Sequence, residues 1–243
     1  MTSTTAGNGR LGNQIIRNIA VSFIAEKFDL YVDYSSKDII DNLGIPLYCG
    51  SRTFPTTIEL NDDNYMSILN AETLNSNLYP NNAYFQSKQI IDLIYKYLRS
   101  EKVMSSIKKR NEYKHLYEEN NNCVYMHVRL GDVVKYSPGA SYYIKALREI
   151  EDKHGEIDMV NVSTDSPDHE IIRLIKEAHP NVKLINTKEE YTIKYAITHK
   201  RVIVSHGTFS AIIGYLCNEV YYPCEKEKWY GELSVNEWKW LKW

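Results

Sequence analysis

The chain has 243 residues, 43% hydrophobic, 25% charged and 12% aromatic, which is enough for one large or two small globular domains and excludes a disordered or collagen-like chain. Its 29 Lys and Arg against 31 Asp and Glu give a net charge of −2, so no whole-domain electrostatic grip on nucleic acid is expected. The longest apolar stretch, residues 15–25, is broken by Arg17 and Asn18, whereas a membrane span needs about 20 apolar residues.

The elements follow in chain order. Residues 12–28 read as a helix with Ile15, Ile16, Ile19, Ala20, Phe23 and Ile24 on a wide apolar face. A strand over 30–33 and weaker strands over 58–60 and 83–85 come next, then a long helix within 87–110. The polar stretch 118–122 separates two differently patterned halves and places the domain boundary there, giving domains 1–117 and 118–243. The second half alternates regularly. Strands are predicted over 123–128, 157–162, 182–185 and 201–204, with a last short one over 220–222. Helices are predicted over 142–154, 168–178, 189–198 and 209–217. Such alternation indicates a parallel sheet covered on both faces, which binds ligands at the carboxyl ends of its strands. The first half is also α/β, but its strand order is not readable.

The four cysteines form no C-x-x-C pair and read as free, mostly buried thiols in a reducing compartment. The first seven residues carry neither the basic start nor the apolar core of a secretory signal. The sequon Asn161-Val162-Ser163 falls in an expected core strand and is disregarded. The seven histidines show no metal-ligand spacing, and neither Asp62-Asp63 nor Asp165-Ser166-Pro167-Asp168 makes a D-x-D pair, so no metal site is expected.

Gly7-Asn8-Gly9-Arg10-Leu11-Gly12 opens the first helix and admits two readings. With Asp33 on the following strand it matches a dinucleotide-binding fingerprint, which would make the protein an NAD-linked oxidoreductase. That fingerprint needs a buried strand before the glycines, and M-T-S-T-T-A offers no large aliphatic residue beyond the initiator. The second reading rests on Gly9-Arg10-Leu11-Gly12-Asn13-Gln14. A helix N-terminus with Arg10 and the Asn13 amide suits a diphosphate or a sugar hydroxyl; the plain alternative is a glycine turn feeding a core helix.

His127-Val128-Arg129-Leu130-Gly131-Asp132 lies where the first strand of the second half ends. Arg129 offers planar charged donors for phosphate, Gly131 a tight turn, and Asp132 a carboxylate to orient Arg129 or its loop. Asp165 ends the next strand, and Ser205-His206-Gly207-Thr208-Phe209-Ser210 joins a later strand to a helix.

These segments together resemble the α-1,2-fucosyltransferase family (glycosyltransferase family 11), within the fucosyltransferase superfamily that includes the protein O-fucosyltransferases. Residues 9–14 resemble its G-[GR]-[LF]-G-N-Q opening, and residues 127–132 resemble H-x-R-R-G-D. Tyr84-Phe85-Gln86-Ser87-Lys88 resembles Y-F-Q-S-E-K, and residues 205–210 resemble S-N-S-T-F-S. Ser163-Thr164-Asp165 stands where the family carries S-D-D, and Tyr222-Pro223 precedes Trp229-Tyr230 as in its tail. Three departures stand out: Leu130 replaces the second arginine, His206-Gly207 replaces Asn-Ser, and the strand before the glycine loop looks degraded or absent.

The resemblance implies a glycosyltransferase B fold, two Rossmann-like domains facing across a cleft, the first on the acceptor side and the second holding the nucleotide sugar. It implies a metal-independent, inverting transfer of L-fucose from GDP-fucose to a glycan hydroxyl, with the GDP-sugar as substrate and no cofactor. Arg129 and Arg10 are the expected catalytic residues. Gly9, Leu11, Gly12, Asn13, His127, Asp165, Ser205, Thr208, Phe209 and Ser210 are the expected donor contacts; no residue identifies itself as the base. The lack of an anchor implies a cytoplasmic bacterial enzyme, or a viral one in host cytoplasm. A transferase for another nucleotide sugar and a non-catalytic relative remain as alternatives, the latter because of Leu130. Trp238, Trp240 and Trp243 are expected to pack a final segment across the domains.

Overall fold

The computed structural model describes residues 1–7, 9–224 and 231–241. The chain divides into two compact units, Met1–Arg110 with Gly231–Leu233, and Asn111–Tyr230 with Ser234–Trp243. The division falls at Arg110 rather than at residue 117. Asn111 is buried and donates from its side chain to the Lys194 carbonyl at 2.7 Å, which fixes the stretch after it to the second unit.

The first unit runs β1 (Ser3–Thr4), α1 (Leu11–Phe28), β2 (Val32–Asp33), α2 (Lys37–Asn42), β3 (Thr57–Glu59), α3 (Asp62–Asn70), β4 (Asn77–Tyr79), α4 (Lys88–Leu98) and α5 (Glu101–Arg110). Two short parallel pairs form, β1 with β2 and β3 with β4. The strand before the glycine loop therefore exists. The buried residues there are Ser3 in the strand and Thr5 just after it instead of aliphatic residues, and their hydroxyls accept from the backbone of Leu78 at 3.1 Å and Ser35 at 2.8 Å. Each hydroxyl satisfies a backbone donor that would otherwise be buried alone, so a strand forms without an apolar signature. Residues 83–85, expected as a strand, form none; Phe85 there has φ +54°. The strand that does pair with β3 is β4. The expected long helix is two, α4 and α5, broken at Arg99–Ser100.

In α1 burial extends round most of the helix. Gln14, Arg17, Asn18 and Ser22 are buried together with the isoleucines, so the residues that interrupt the apolar stretch lie inside the unit.

The second unit holds α6 (Leu116–Glu119), β5 (Val124–Val128), α7 (Gly139–His154), β6 (Val160–Thr164), α8 (Glu170–Ala178), β7 (Val182–Leu184), α9 (Glu189–Ala196), β8 (Arg201–Ile203), α10 (Thr208–Leu216), β9 (Glu219–Pro223) and β10 (Lys239–Leu241). Among the described residues its sheet has six strands, all parallel, in the order β10-β9-β8-β5-β6-β7. The chain steps outward from β5 through β6 to β7, then returns to the other side of β5 as β8. The order reverses between β5 and β8, and a crevice at the carboxyl ends of that pair is where open parallel sheets bind ligands.

The sheet has one strand more than the sequence suggests. Residues 239–241 pair with β9, and Trp238 lies against Tyr215 and Tyr222 of the same unit, with ring centroids 5.4 and 4.9 Å apart. At the amino ends of β9 and β10, Glu219 takes hydrogen bonds from Lys239, His154 (3.1 Å) and Lys153 (3.2 Å). Burial pushes its carboxyl up, but these donors outweigh burial and hold it down at about 2. Trp243 and the Trp229-Tyr230 pair lie outside the described residues. The cysteines are free, but Cys49 is exposed; only Cys123 and Cys217 are buried.

Because Trp238 is 4% exposed and docks β10, Trp238→Ala should destabilise the second unit by about 3–5 kcal/mol, measured by urea unfolding. A loss below about 1 kcal/mol would place the C-terminal strand outside the core.

Candidate functional site at the sheet switch point

Three strand ends of the second unit supply the expected residues. β5 delivers His127 and Arg129, β6 delivers Asp165, and β8 with the N-terminus of α10 delivers residues 205–210. They meet around the reversal between β5 and β8.

Asp165 is the hub. One carboxylate oxygen accepts from the Arg129 guanidinium and the other from the Leu130 backbone N–H at 2.9 Å. Arg129 also pairs with Asp132, the orienting role anticipated for that residue. Gly131 is required by closeness: a Cβ there would stand 2.7 Å from an Asp165 oxygen. Both oxygens of Asp165 are thus engaged inside the site, and its contribution here is to fix Arg129 and the loop. The Arg129 side chain is 19% exposed between its two carboxylates, while Asp132 is 63% exposed.

Leu130 is fully buried in the apolar cluster with Met126, Val128, Tyr142 and Tyr143. The loop directs Arg129 outward and its neighbour inward, so this position belongs to the core.

His127 is buried and links β5 to α10, its Nδ1 lying 2.6 Å from the Ser210 Oγ and its ring 5.2 Å from that of Phe209. Its pKa is lowered to about 4, by burial above all, with Asp165 partly opposing and Arg129 adding to the shift. The imidazole is therefore neutral near pH 7 and holds the first turn of α10. Gly207 stands at the N-cap with φ +91°, which favours glycine, and brings no side chain to satisfy the first-turn N–H groups. With Ser210 tied to His127, the backbone at Thr208 and Phe209 forms the anion-attracting end of the helix. Ser205 is fully buried beside Tyr143, whose hydroxyl burial pushes up. His206 is buried with its ring 6.3 Å from Tyr222.

The first unit holds the rest. Arg10 is the exposed N-cap residue of α1, in extended conformation, and no acidic residue stands in the first turn. Leu11 and Gly12 are buried in that turn. Gln14 donates to the carbonyls of Gly7 and Gly9, both at 3.2 Å, and so shapes the loop. Asn13 accepts from Gln86 at 3.1 Å, joining the glycine loop to the Y-F-Q-S-K segment. Gln86 in turn accepts from the N–H of Gly231 and of Glu232. Asp33 is exposed at the end of β2, its carbonyl accepting from Thr5 N–H at 3.0 Å. Gln14, Arg17 and Gln86 are the residues that motif reading undervalued: their side chains serve loop carbonyls and amides, a task with no sequence spacing of its own.

Comparison with known proteins bears on the architecture. A structure of NodZ α-1,6-fucosyltransferase soaked with GDP-fucose aligns with a TM-score of 0.56 at 13% identity, covering 90% of this chain and 94% of that one. Fucosyltransferase NodZ from Bradyrhizobium gives 0.57 at 13% identity over the same shares. The E. coli heptosyltransferase WaaC with ADP gives 0.55 at 10% identity, covering 100% of this chain and 93% of that one. No family model and no curated protein matches the chain. The chain has the α/β, parallel-sheet fold of these enzymes, the glycosyltransferase B class.

His127 and His199 both have pKa values lowered to about 4, mainly by burial. In the unfolded chain each binds a proton near pH 6.5, so between pH 6.5 and 4 the unfolded state holds more protons. Stability should be full above pH 6.5 and fall as pH drops toward 4, by on the order of 3 kcal/mol per histidine. Thermal unfolding across this range should show the slope, and His127→Gln should flatten part of it; an unchanged slope in that variant would mean His127 titrates normally.

Proposed function

We propose that the protein is a glycosyltransferase that moves a sugar from a nucleoside diphosphate sugar to a glycan hydroxyl. The carrying observation is that Arg129, held by Asp165, and the α10 N-terminus, held by His127, both stand beyond the carboxyl ends of β5 and β8, where the parallel sheet reverses. A diphosphate needs that pairing of a planar cation and oriented N–H groups. Glycosyltransferases with this fold, NodZ among them, support the class.

Within that class the reading is an inverting α-1,2-fucosyltransferase using GDP-fucose, on the strength of the ordered motifs in residues 9–14, 84–88, 127–132 and 205–210. The diphosphate meets Arg129 by displacing Asp132, whose exposed ion pair is worth only about 0–1 kcal/mol, while Asp165 keeps the guanidinium in place. As the glycosidic bond breaks, negative charge grows on the leaving phosphate, and Arg129 with the N–H groups of Thr208 and Phe209 stabilises it. By the resemblance, Gly9, Leu11, Gly12 and Asn13 of the glycine loop are candidate donor contacts and Arg10 is the candidate second cation. These cations serve in place of a metal.

GDP or GDP-fucose should raise the melting temperature while NAD leaves it unchanged. A shift with NAD and none with any nucleotide sugar would replace this reading by the oxidoreductase one. A shift with UDP-sugars alone would retain the class and reject the donor.

Losing a charged hydrogen bond to the leaving group costs roughly 2–4 kcal/mol, about 30- to 1000-fold in kcat/KM. Arg129→Ala should lose at least this and Arg10→Ala a comparable or smaller factor, with a non-additive double variant and turnover that persists in excess EDTA. Full activity in Arg10→Ala would leave Arg129 to act without it.

A further inference from the structure

Two large rings stand in solvent on a tightly held piece of the first unit. Tyr79 and Tyr84 are 41% and 38% exposed. The backbone around them is fixed from below by Arg17, which is fully buried yet bonds to main-chain carbonyls: Asn81 at 3.1 Å and Ala6 at 3.2 Å from Nη2, and Ala83 from Nη1. The Ala83 N–H closes a turn onto the Pro80 carbonyl at 2.7 Å.

The stretch is also strained. Asn81 has φ +33° and Phe85 φ +54°, the left-handed region that bulky side chains avoid. Phe85 is held there by burial against Tyr65, with centroids 5.4 Å apart, and by its N–H donating to Asp62 at 3.1 Å. A turn whose only task is to join β4 to α4 needs neither a buried guanidinium nor a left-handed Phe. Strain of this kind gathers at ligand clamps, where the surrounding structure over-determines it.

Tyr79 ends β4 and Tyr84 follows the turn whose carbonyls Arg17 holds, so both exposed rings stand on the same short stretch of fixed backbone. Polar groups flank them: Asn82 is exposed, and the Asn81 amide is 3.4 Å from the exposed Glu59 carboxylate. Rings that cover apolar C–H surface, with amides and a carboxylate for hydroxyls, are the groups that recognise a sugar. The patch adjoins the glycine loop, since a side chain added at Gly7 would stand 3.1 Å from the Asn81 carbonyl.

We propose that residues 79–86 form a carbohydrate-binding shelf on which Tyr79 and Tyr84 stack against a sugar ring of the acceptor, with Arg17 as the positioning residue beneath. The assignment to the acceptor rests on the transferase reading above; the affinity for carbohydrate does not.

The test uses the full chain on an array of neutral and acidic glycans, with acceptor and donor KM measured for the glycan retained best. Tyr79→Ala and Tyr84→Ala change exposed side chains and should fold. Each should weaken glycan retention and raise acceptor KM by about 10-fold, with donor KM changed less than twofold, while Tyr84→Phe keeps binding. Arg17→Gln should weaken retention as the tyrosine variants do; if it does not fold, the tyrosine variants alone decide. Retention equal to wild type in both tyrosine variants, or no glycan retained by wild type, overturns the shelf. If glycan is bound through the tyrosines but no nucleotide raises the melting temperature, the shelf stands and the transferase reading falls. If nucleotide binds and retention ignores the tyrosines, the reverse holds.

Discussion

The second unit's candidate site depends on one carboxylate. Asp165, at the end of β6, ties the guanidinium of Arg129 and the N–H of Leu130, both just beyond β5. Charge-assisted bonds of this kind are roughly twice as strong as neutral ones, and here they set the path of the loop. Because the loop turns at Gly131 against the same carboxylate, Arg129 faces outward and Leu130 enters the core. Beside it, the neutral His127 holds α10 by Ser210, so Arg129 and a helix N-terminus both stand beyond the carboxyl ends of the neighbouring strands β5 and β8. An anion there would gain from both without reorganising either.

The two units solve the problem of polar burial differently. In the second, one face of β5 and β6 is apolar, while the other buries Asn161 and Ser163, which are satisfied by His199 at 2.9 Å and Tyr125 at 2.5 Å. In the first, strands are only two or three residues long, and side chains do the work of a ladder. Ser3, Thr5 and Asn77 each bond neighbouring backbone, Asn77 accepting from Phe54 N–H at 3.0 Å. Gln14 and Arg17 hold loop carbonyls in the same manner. Buried polar groups satisfied in this way fix one conformation, since any shift leaves several of them unpaired.

This contrast explains what the sequence made legible. Alternating apolar runs gave β5 to β9 of the second unit and their helices within a few residues, and the motif at 127–132 falls at the end of β5. β1 has no apolar signature, because Ser3 is its buried residue and Thr5 follows it. β4 escaped notice because Asn-Leu-Tyr carries no alternation, and β10 because Lys-Trp-Leu follows a polar stretch. Leu130 read as a lost cation, whereas its burial shows a position the loop turns inward. Arg17 read as an interruption of an apolar run, and only the fold reveals that it gathers the carbonyls of two distant loops.

The most direct test of the account is a crystal structure of the protein with GDP. The account predicts the diphosphate within hydrogen-bond distance of the Arg129 guanidinium and of the N–H groups at Thr208 and Phe209, with Asp165 still on Arg129 and Asp132 displaced. GDP bound away from the carboxyl ends of β5 and β8, with Arg129 still paired to both aspartates, would contradict it.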